Sequence, residues 1–294
     1  MAKYFLERAH PVVVFDNLST GYTQNIPASL NLQFIKGDIR DKQLLIKSME
    51  GCEAILHLAA AVGNIRSIEK TNEDSEINVL GTLNVLEAAR STGICKIVYS
   101  SSAAIFGEPK KLPIDEEHPT APDSPYGVSK LAGELHCLCY AKLYDMDIVC
   151  LRYFNVYGPN QRYDAYGNVI PIFAAHKLKG EPLHIYGDGE QTRDFVHVFD
   201  VAQANYLAAT LSNIGGIYNV GTGETITINR LAKLINEIGD RSPVEVLHQA
   251  PRKGEVKHSL ASVEKAKRVL GFKPTQTIQD GLKGYWQWIQ SNAS

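Results

Sequence analysis

Five short apolar runs recur along the first half of the chain: Val12 to Phe15, Leu32 to Lys36, Ala54 to Leu58, Lys96 to Ser100 and Asp147 to Arg152. None alternates apolar with polar residues, so each predicts a strand covered on both faces, as in a parallel sheet. Between them lie stretches of helical periodicity at residues 42–49, 74–91 and 124–143. In the second stretch Ile77, Leu80, Leu83, Val85, Leu86 and Ala89 form one apolar stripe. Strand alternating with helix predicts a doubly wound α/β fold around a parallel sheet.

From about Tyr153 the texture changes. Residues 157–167 are rich in Tyr, Gly, Asn and Pro, which suits a functional loop. Glycines at 187, 189, 215, 216, 221 and 223 punctuate shorter segments, and two helices are expected at 262–270 and 278–289. A smaller region facing the substrate is expected from this part of the chain. No internal repeat stands out.

Composition narrows the function classes. Of 294 residues, 44% are hydrophobic and 21% charged, the balance of a globular chain. Thirty basic residues against 32 acidic ones leave a net charge of -2, which argues against an electrostatic nucleic-acid binder. No apolar run approaches the ~18 residues of a membrane span. The opening residues have no apolar segment with a small-residue cleavage site, so a cytoplasmic location is expected. Five cysteines include no C-x-x-C, and Cys137 and Cys139 point to different faces of a helix. They read as small hydrophobes in a reducing compartment, and no histidine spacing suggests a metal site.

Residues 2–8 look like the end of a helix running into the strand PVVVFD. In a doubly wound sheet that helix follows a strand and a glycine-rich turn, whose N–H groups hold a pyrophosphate. Neither stands in this sequence, so the sheet is expected to lack its first strand. Unpaired backbone groups or re-paired neighbours should result. The reading that follows is a truncated enzyme, with two alternatives: a relative that binds ligand without turnover, or a gap filled by another chain or a rearranged N-terminus. Asp16 nevertheless ends a strand, where a carboxylate binds the adenosine ribose hydroxyls and favours NAD over NADP. Gly221-Thr-Gly223 imitates a phosphate loop poorly, because Ile226 occupies its third glycine position.

Tyr126-Gly-Val-Ser-Lys130 places a phenol and an ammonium on one helical face. A neighbouring cation favours the phenolate, so the pair is expected to act as an acid and base near pH 7. About one such pair arises by chance in a chain with 14 tyrosines, so context must carry the reading. The strand at 96–100 runs into Ser101 and Ser102, at the end where open α/β sheets bind ligands. Leu58, Ala59 and Ala60 end another strand and are small enough to admit a cofactor. Asp38 and Ile39 end a third, beside an expected adenine. Asn78, on a long helix, reads either as fixing the active-site helix or a water, or as a buried Asn satisfied within the fold.

Together the segments DNLSTG, GDIRD, HLAA, NVLGTLNVLEAA, YSSSAAIFGEP, SPYGVSK, LRYFNVYGP, GNVIPIF, YGDGEQTRDFVHV and PRKGEVKHSLAS resemble the extended short-chain dehydrogenase/reductase family. The likeness is greatest to nucleotide-sugar epimerases of the UDP-glucose 4-epimerase type, and it spans nearly the whole chain. It implies a Rossmann-type NAD-binding domain over residues 1–155. Residues 156–294 would be mainly substrate-binding, with some segments returning to the sheet. Tyr126 is then the catalytic acid and base, Lys130 its partner and nicotinamide-ribose anchor, and Ser102 the helping hydroxyl. Asp16 and Asn17 would face the adenosine ribose, Asp38 and Ile39 the adenine, Leu58 to Ala60 with Asn78 the middle of NAD, and Tyr153 the nicotinamide. Asn155, Asn168, Arg193, Arg252, Glu255 and Ser259 would bind the UDP-sugar, with Glu255 where the family usually has Asp. Ser259 would leave room for an acetamido group at the sugar's C2. A UDP-glucuronate epimerase or decarboxylase is the alternative within the family. Ser101-Ser102-Ala103 lacks the acidic pair a 4,6-dehydratase needs. Homodimers through the helices at 74–91 and 124–143 are also implied.

Overall fold

The computed structural model describes residues 1–161, 168–251 and 256–292. Helix α1 (Ala2–Leu6) leads into β1 (Val12–Asp16), followed by β2 (Leu32–Lys36), α2 (Lys42–Ser48) and β3 (Ala54–His57). Helices α3 (Asn64–Glu69) and α4 (Thr71–Ser75) run into a π-helical turn, Glu76–Gly81, that continues as α5 (Thr82–Thr92). Then come β4 (Lys96–Ser102), α6 (Pro125–Tyr144) and β5 (Asp147–Tyr153). The five strands expected from periodicity are all present, each within two residues of its expected ends. The helix expected over 74–91 differs, because a wider turn interrupts it around Asn78.

Strand β10 (Gly216–Val220) joins this half of the molecule from far along the sequence. Before it lie β6 (Asn155–Tyr157), α7 (Val169–Lys179), β7 (Leu183–Tyr186), β8 (Thr192–Arg193), β9 (Phe195–His197) and α8 (Val198–Thr210). After it come β11 (Ile226–Thr227), α9 (Ile228–Glu237), β12 (Val246–Gln249), α10 (Glu264–Leu270) and α11 (Ile278–Asn292). A four-stranded parallel sheet has the order β10-β5-β4-β3. On one face Ile97, Tyr99, Ile148 and Cys150 pack with Val85, Leu86 and Ala89 of α5 and Cys137 of α6. On the other, Val98, Val149 and Leu151 meet Val201, Ala204 and Ala208 of α8 and Leu270 of α10. Both faces are dry, which is why the strands show no alternation.

Strands β1 and β2 form a separate parallel ribbon, so among the described residues β1 and β3 each have one unpaired edge. The neighbours have not re-paired across the interruption. Helices hold the ribbon in the same layer from both sides. Phe15 and Ile46 share the core of Ile55, Val85 and Leu86, while Tyr4 and Phe5 of α1 pack on Tyr206 of α8 at 5.7 and 5.3 Å. A further core collects Phe173, Leu183, Leu231, Ile235, Leu282 and Trp286 from α7, β7, α9 and α11.

Candidate active site

Helix α6 begins with Ser124, whose hydroxyl accepts from Gly127 N at 3.1 Å, and with Pro125, which needs no N–H partner at that position. That start puts Tyr126 in the first turn and Lys130 in the second. Gly127 lets the turn lie against the Ala104 carbonyl, just past Ser102, where a Cβ would overlap the oxygen. Gly127→Ala should therefore push the helix start outward and cost about 1–3 kcal/mol, read as a lower urea midpoint with reduced turnover.

Tyr126 is half-buried. Burial pushes its pKa up to about 12, and hydrogen bonding to Ser102 is the influence that draws it down. Ser102 Oγ accepts from Ala104 N at 3.1 Å, which leaves its proton for the Tyr126 oxygen. Burial also lowers Lys130 to about 8. Lys130 stands one helical turn from Tyr126 on α6.

A buried ion pair locks this corner. Glu134, one turn beyond Lys130, accepts from Arg152 Nη2 at 2.7 Å, from Arg152 Nε at 3.0 Å and from Ser101 Oγ at 2.6 Å. Arg152 also donates to the Glu116 carbonyl at 2.9 Å. The residue preceding Ser102 is thus tied to the helix that carries Tyr126. Neither Glu134 nor Arg152 figures among the expected site residues. Their signal was present, as charges on the inward face of a helix and inside an apolar strand.

Asn78 is completely used by the protein. Its amide nitrogen shares its two hydrogens among the Ala61 carbonyl at 2.9 Å, Asp74 at 3.0 Å and Ser129 at 3.1 Å, and its carbonyl accepts from Ala61 N at 2.8 Å. It therefore ties the segment after β3 to α6, and the π turn brings it there. Leu58 and Ala59 are exposed and Ala60 half-buried beside it.

The carboxyl ends of β1 and β2 lie together. Asp16 is exposed and accepts from Leu18 N at 2.7 Å. Asn17 donates to Asp38 at 2.9 Å, and Arg40 binds Asp38 at 2.8 and 2.9 Å, holding its carboxyl well below the usual range. The Ile39 side chain turns instead into the core. A groove of about 260 Å³ is lined by Ala2, Val14, Asp16, Leu18, Gly21 and Tyr22, among others. An exposed carboxylate on such a groove fits a ribose diol. The turn at Gly221 to Gly223 does not serve as a phosphate cradle, because Asp194 takes the N–H groups of Thr222 at 2.8 Å and Gly223 at 3.0 Å.

Tyr153 ends β5 with its hydroxyl between Ser100 and Asn205, both at 3.0 Å. Asn155 donates to the Asp194 carbonyl at 3.0 Å, and the exposed Asn168 stands at the N-cap of α7. Arg193 lines a second cavity of about 160 Å³ with Phe195, Thr222 and Thr275. Ser259 is buried, and its N–H donates to the Thr192 carbonyl at 3.2 Å. Arg252 and Glu255 lie outside the described residues. Among the described residues no three His, Cys, Asp or Glu groups gather as a metal site, and no helix is long and apolar enough to cross a membrane.

The family model "NAD dependent epimerase/dehydratase family" matches residues 1–221. The chain belongs to that family. It is 42% identical over 290 residues to a putative UDP-glucose 4-epimerase of Methanocaldococcus jannaschii, covering 98% of this chain and 93% of that one. The solved UDP-glucose 4-epimerase of Thermotoga maritima with UDP-glucose superposes with a TM-score of 0.92 at 35% identity, over 99% of this chain and 94% of that one. A UDP-N-acetylglucosamine 4-epimerase from Methanobrevibacter ruminantium, in complex with UDP-N-acetylmuramic acid, gives 0.91 at 35% identity, over 96% and 91%. Family membership accounts for the ten sequence segments and for the Rossmann-type sheet.

Proposed function

We propose that this chain epimerises a UDP-hexose at C4 through a 4-keto intermediate, using NAD. The observation that carries the proposal is Tyr126 against Ser102 at the carboxyl end of β4, with Lys130 one turn away. Tyr126 Oη takes the proton of the 4-hydroxyl while Ser102 holds that oxygen, and Tyr126 returns the proton after the keto sugar has turned over. NAD, when bound, supplies the hydride acceptor and a positively charged ring. Asp16 and Asn17 would hold its adenosine ribose, Asp38 and the backbone at Ile39 the adenine, and Leu58 to Ala60 its middle. Tyr153 would sit at the nicotinamide end, and Asn78 would act by fixing Ala61. Residues 1–155 would serve the cofactor and 156–294 mainly the substrate. Asn155, Asn168, Arg193, Arg252 and Glu255 would hold the sugar diphosphate and uridine, the arginines through their planar forks.

Ser259 favours the N-acetylhexosamine pair over UDP-glucose and UDP-galactose, since a small side chain leaves room at C2. Ser259→Tyr should cut the ratio of UDP-GlcNAc to UDP-Glc turnover at least about tenfold. An unchanged ratio would remove this preference. Exposed Leu80, Val128 and Leu135 on the π turn and α6 favour a homodimer through these helices. The free cysteines suit the reducing cytoplasm.

The alternative reading is UDP-sugar binding without turnover. NAD released from the purified chain by denaturation separates the two. Near one NAD per chain, with interconversion of UDP-GlcNAc or UDP-Glc, supports the epimerase. No NAD, and none taken up from excess, supports the binding-only form.

A further inference from the structure

We infer that the aromatic face of Tyr99 is the direct partner of the Lys130 ammonium and fixes that charge for Tyr126. The inference rests on the reading of Tyr126 and Lys130 as the acid–base pair. Tyr99 lies mid-way along β4 and is fully buried. Lys130 Nζ stands 4.6 Å from its ring centroid, inside the ~6 Å range at which the negative face of a ring attracts a cation. The Tyr99 hydroxyl also donates to the Lys130 carbonyl at 3.1 Å, so one side chain holds both ends of the lysine. Gly133 makes this possible, since a Cβ there would overlap the Tyr99 oxygen.

The groups facing Lys130 come from every neighbouring element. Helix α6 brings Glu134 and Cys137, with Tyr126 one turn back on the same helix, α4 brings Asp74, β5 brings Cys150, and β3 brings His57. Asp74 and Glu134 support the ammonium through space, with no ion pair to it among the described residues. His57 is held neutral by burial and by the lysine's charge, with a pKa near 3. Its Nε2–H donates to Thr82 Oγ1 at 2.9 Å, because the Thr82 proton is spent on the Asn78 carbonyl at 2.7 Å. A carboxylate paired with Lys130 would cancel the field that Tyr126 needs. A ring steadies the ammonium and leaves its net charge in place.

The test follows the titration of Lys130 in the full chain through its 13Cε resonance, assigned by its loss in Lys130→Arg. It needs neither NAD, sugar nor turnover, so an inactive enzyme would overturn the functional reading and leave this test standing. Tyr99→Phe keeps the ring and should leave the midpoint within about 0.3 pH unit of wild type. Phenylalanines carrying one, two and three fluorines at position 99 keep the shape and drain the face. They should lower the midpoint stepwise, by about one pH unit in total. Tyr99→Leu should lower it at least as far, and if that variant does not fold the fluorinated series decides. A midpoint flat across the series overturns the inference, as does a fall in Tyr99→Phe equal to that of the trifluorinated variant.

Discussion

Tyr126→Phe should lower kcat for C4 epimerisation by about 10²–10⁴-fold while UDP-sugar affinity and the unfolding midpoint stay close to wild type. The change removes one hydroxyl from a half-buried ring and leaves α6, its Ser124 cap and the Ser102 turn in place. Only the proton transfer is lost. Initial rates by anomeric proton NMR, with calorimetric binding of UDP, check both halves. A variant that keeps a third of wild-type turnover would show that another group moves the proton.

Glu134→Ala should destabilise the fold by about 3–5 kcal/mol, because it leaves the Arg152 guanidinium buried without its carboxylate. Turnover should fall as well, since Ser101 loses its 2.6 Å bond to the helix that carries Tyr126. Replacing both partners, as Glu134→Leu with Arg152→Met, should recover most of the stability because no charge is then stranded. Turnover should recover less, since an apolar pair cannot anchor Ser101. Urea unfolding of the three proteins measures the first effect. A loss below about 1 kcal/mol in Glu134→Ala would mean that water reaches Arg152.

The parallel half of the fold was legible because burial on both faces writes itself into β4 and β5 as unbroken apolar runs. That Tyr126 and Lys130 stand one turn apart on a helix, and Ser102 at the end of a strand, was legible from spacing; the roles proposed for them rest on the family resemblance. What hid were relations between distant residues. Nothing in the spacing says that Glu134 meets Arg152, that Asn78 spends its whole amide on Ala61, Asp74 and Ser129, or that Tyr99 lies under Lys130. The π turn was invisible for the same reason, and Leu80 of the expected stripe is exposed on it. Spacing also carries no measure of burial, which is the largest influence on the Tyr126 phenol and pushes it up.

The central claim is that the hydrogen at C4 leaves and returns as a hydride held within the site. It is tested most directly with UDP-glucose and UDP-N-acetylglucosamine deuterated at C4, incubated with the chain and added NAD in ordinary water. The account predicts the C4 epimer with its deuterium retained at C4. An epimer that has exchanged its deuterium for solvent hydrogen, or no conversion of either sugar by NAD-loaded chain, would contradict it.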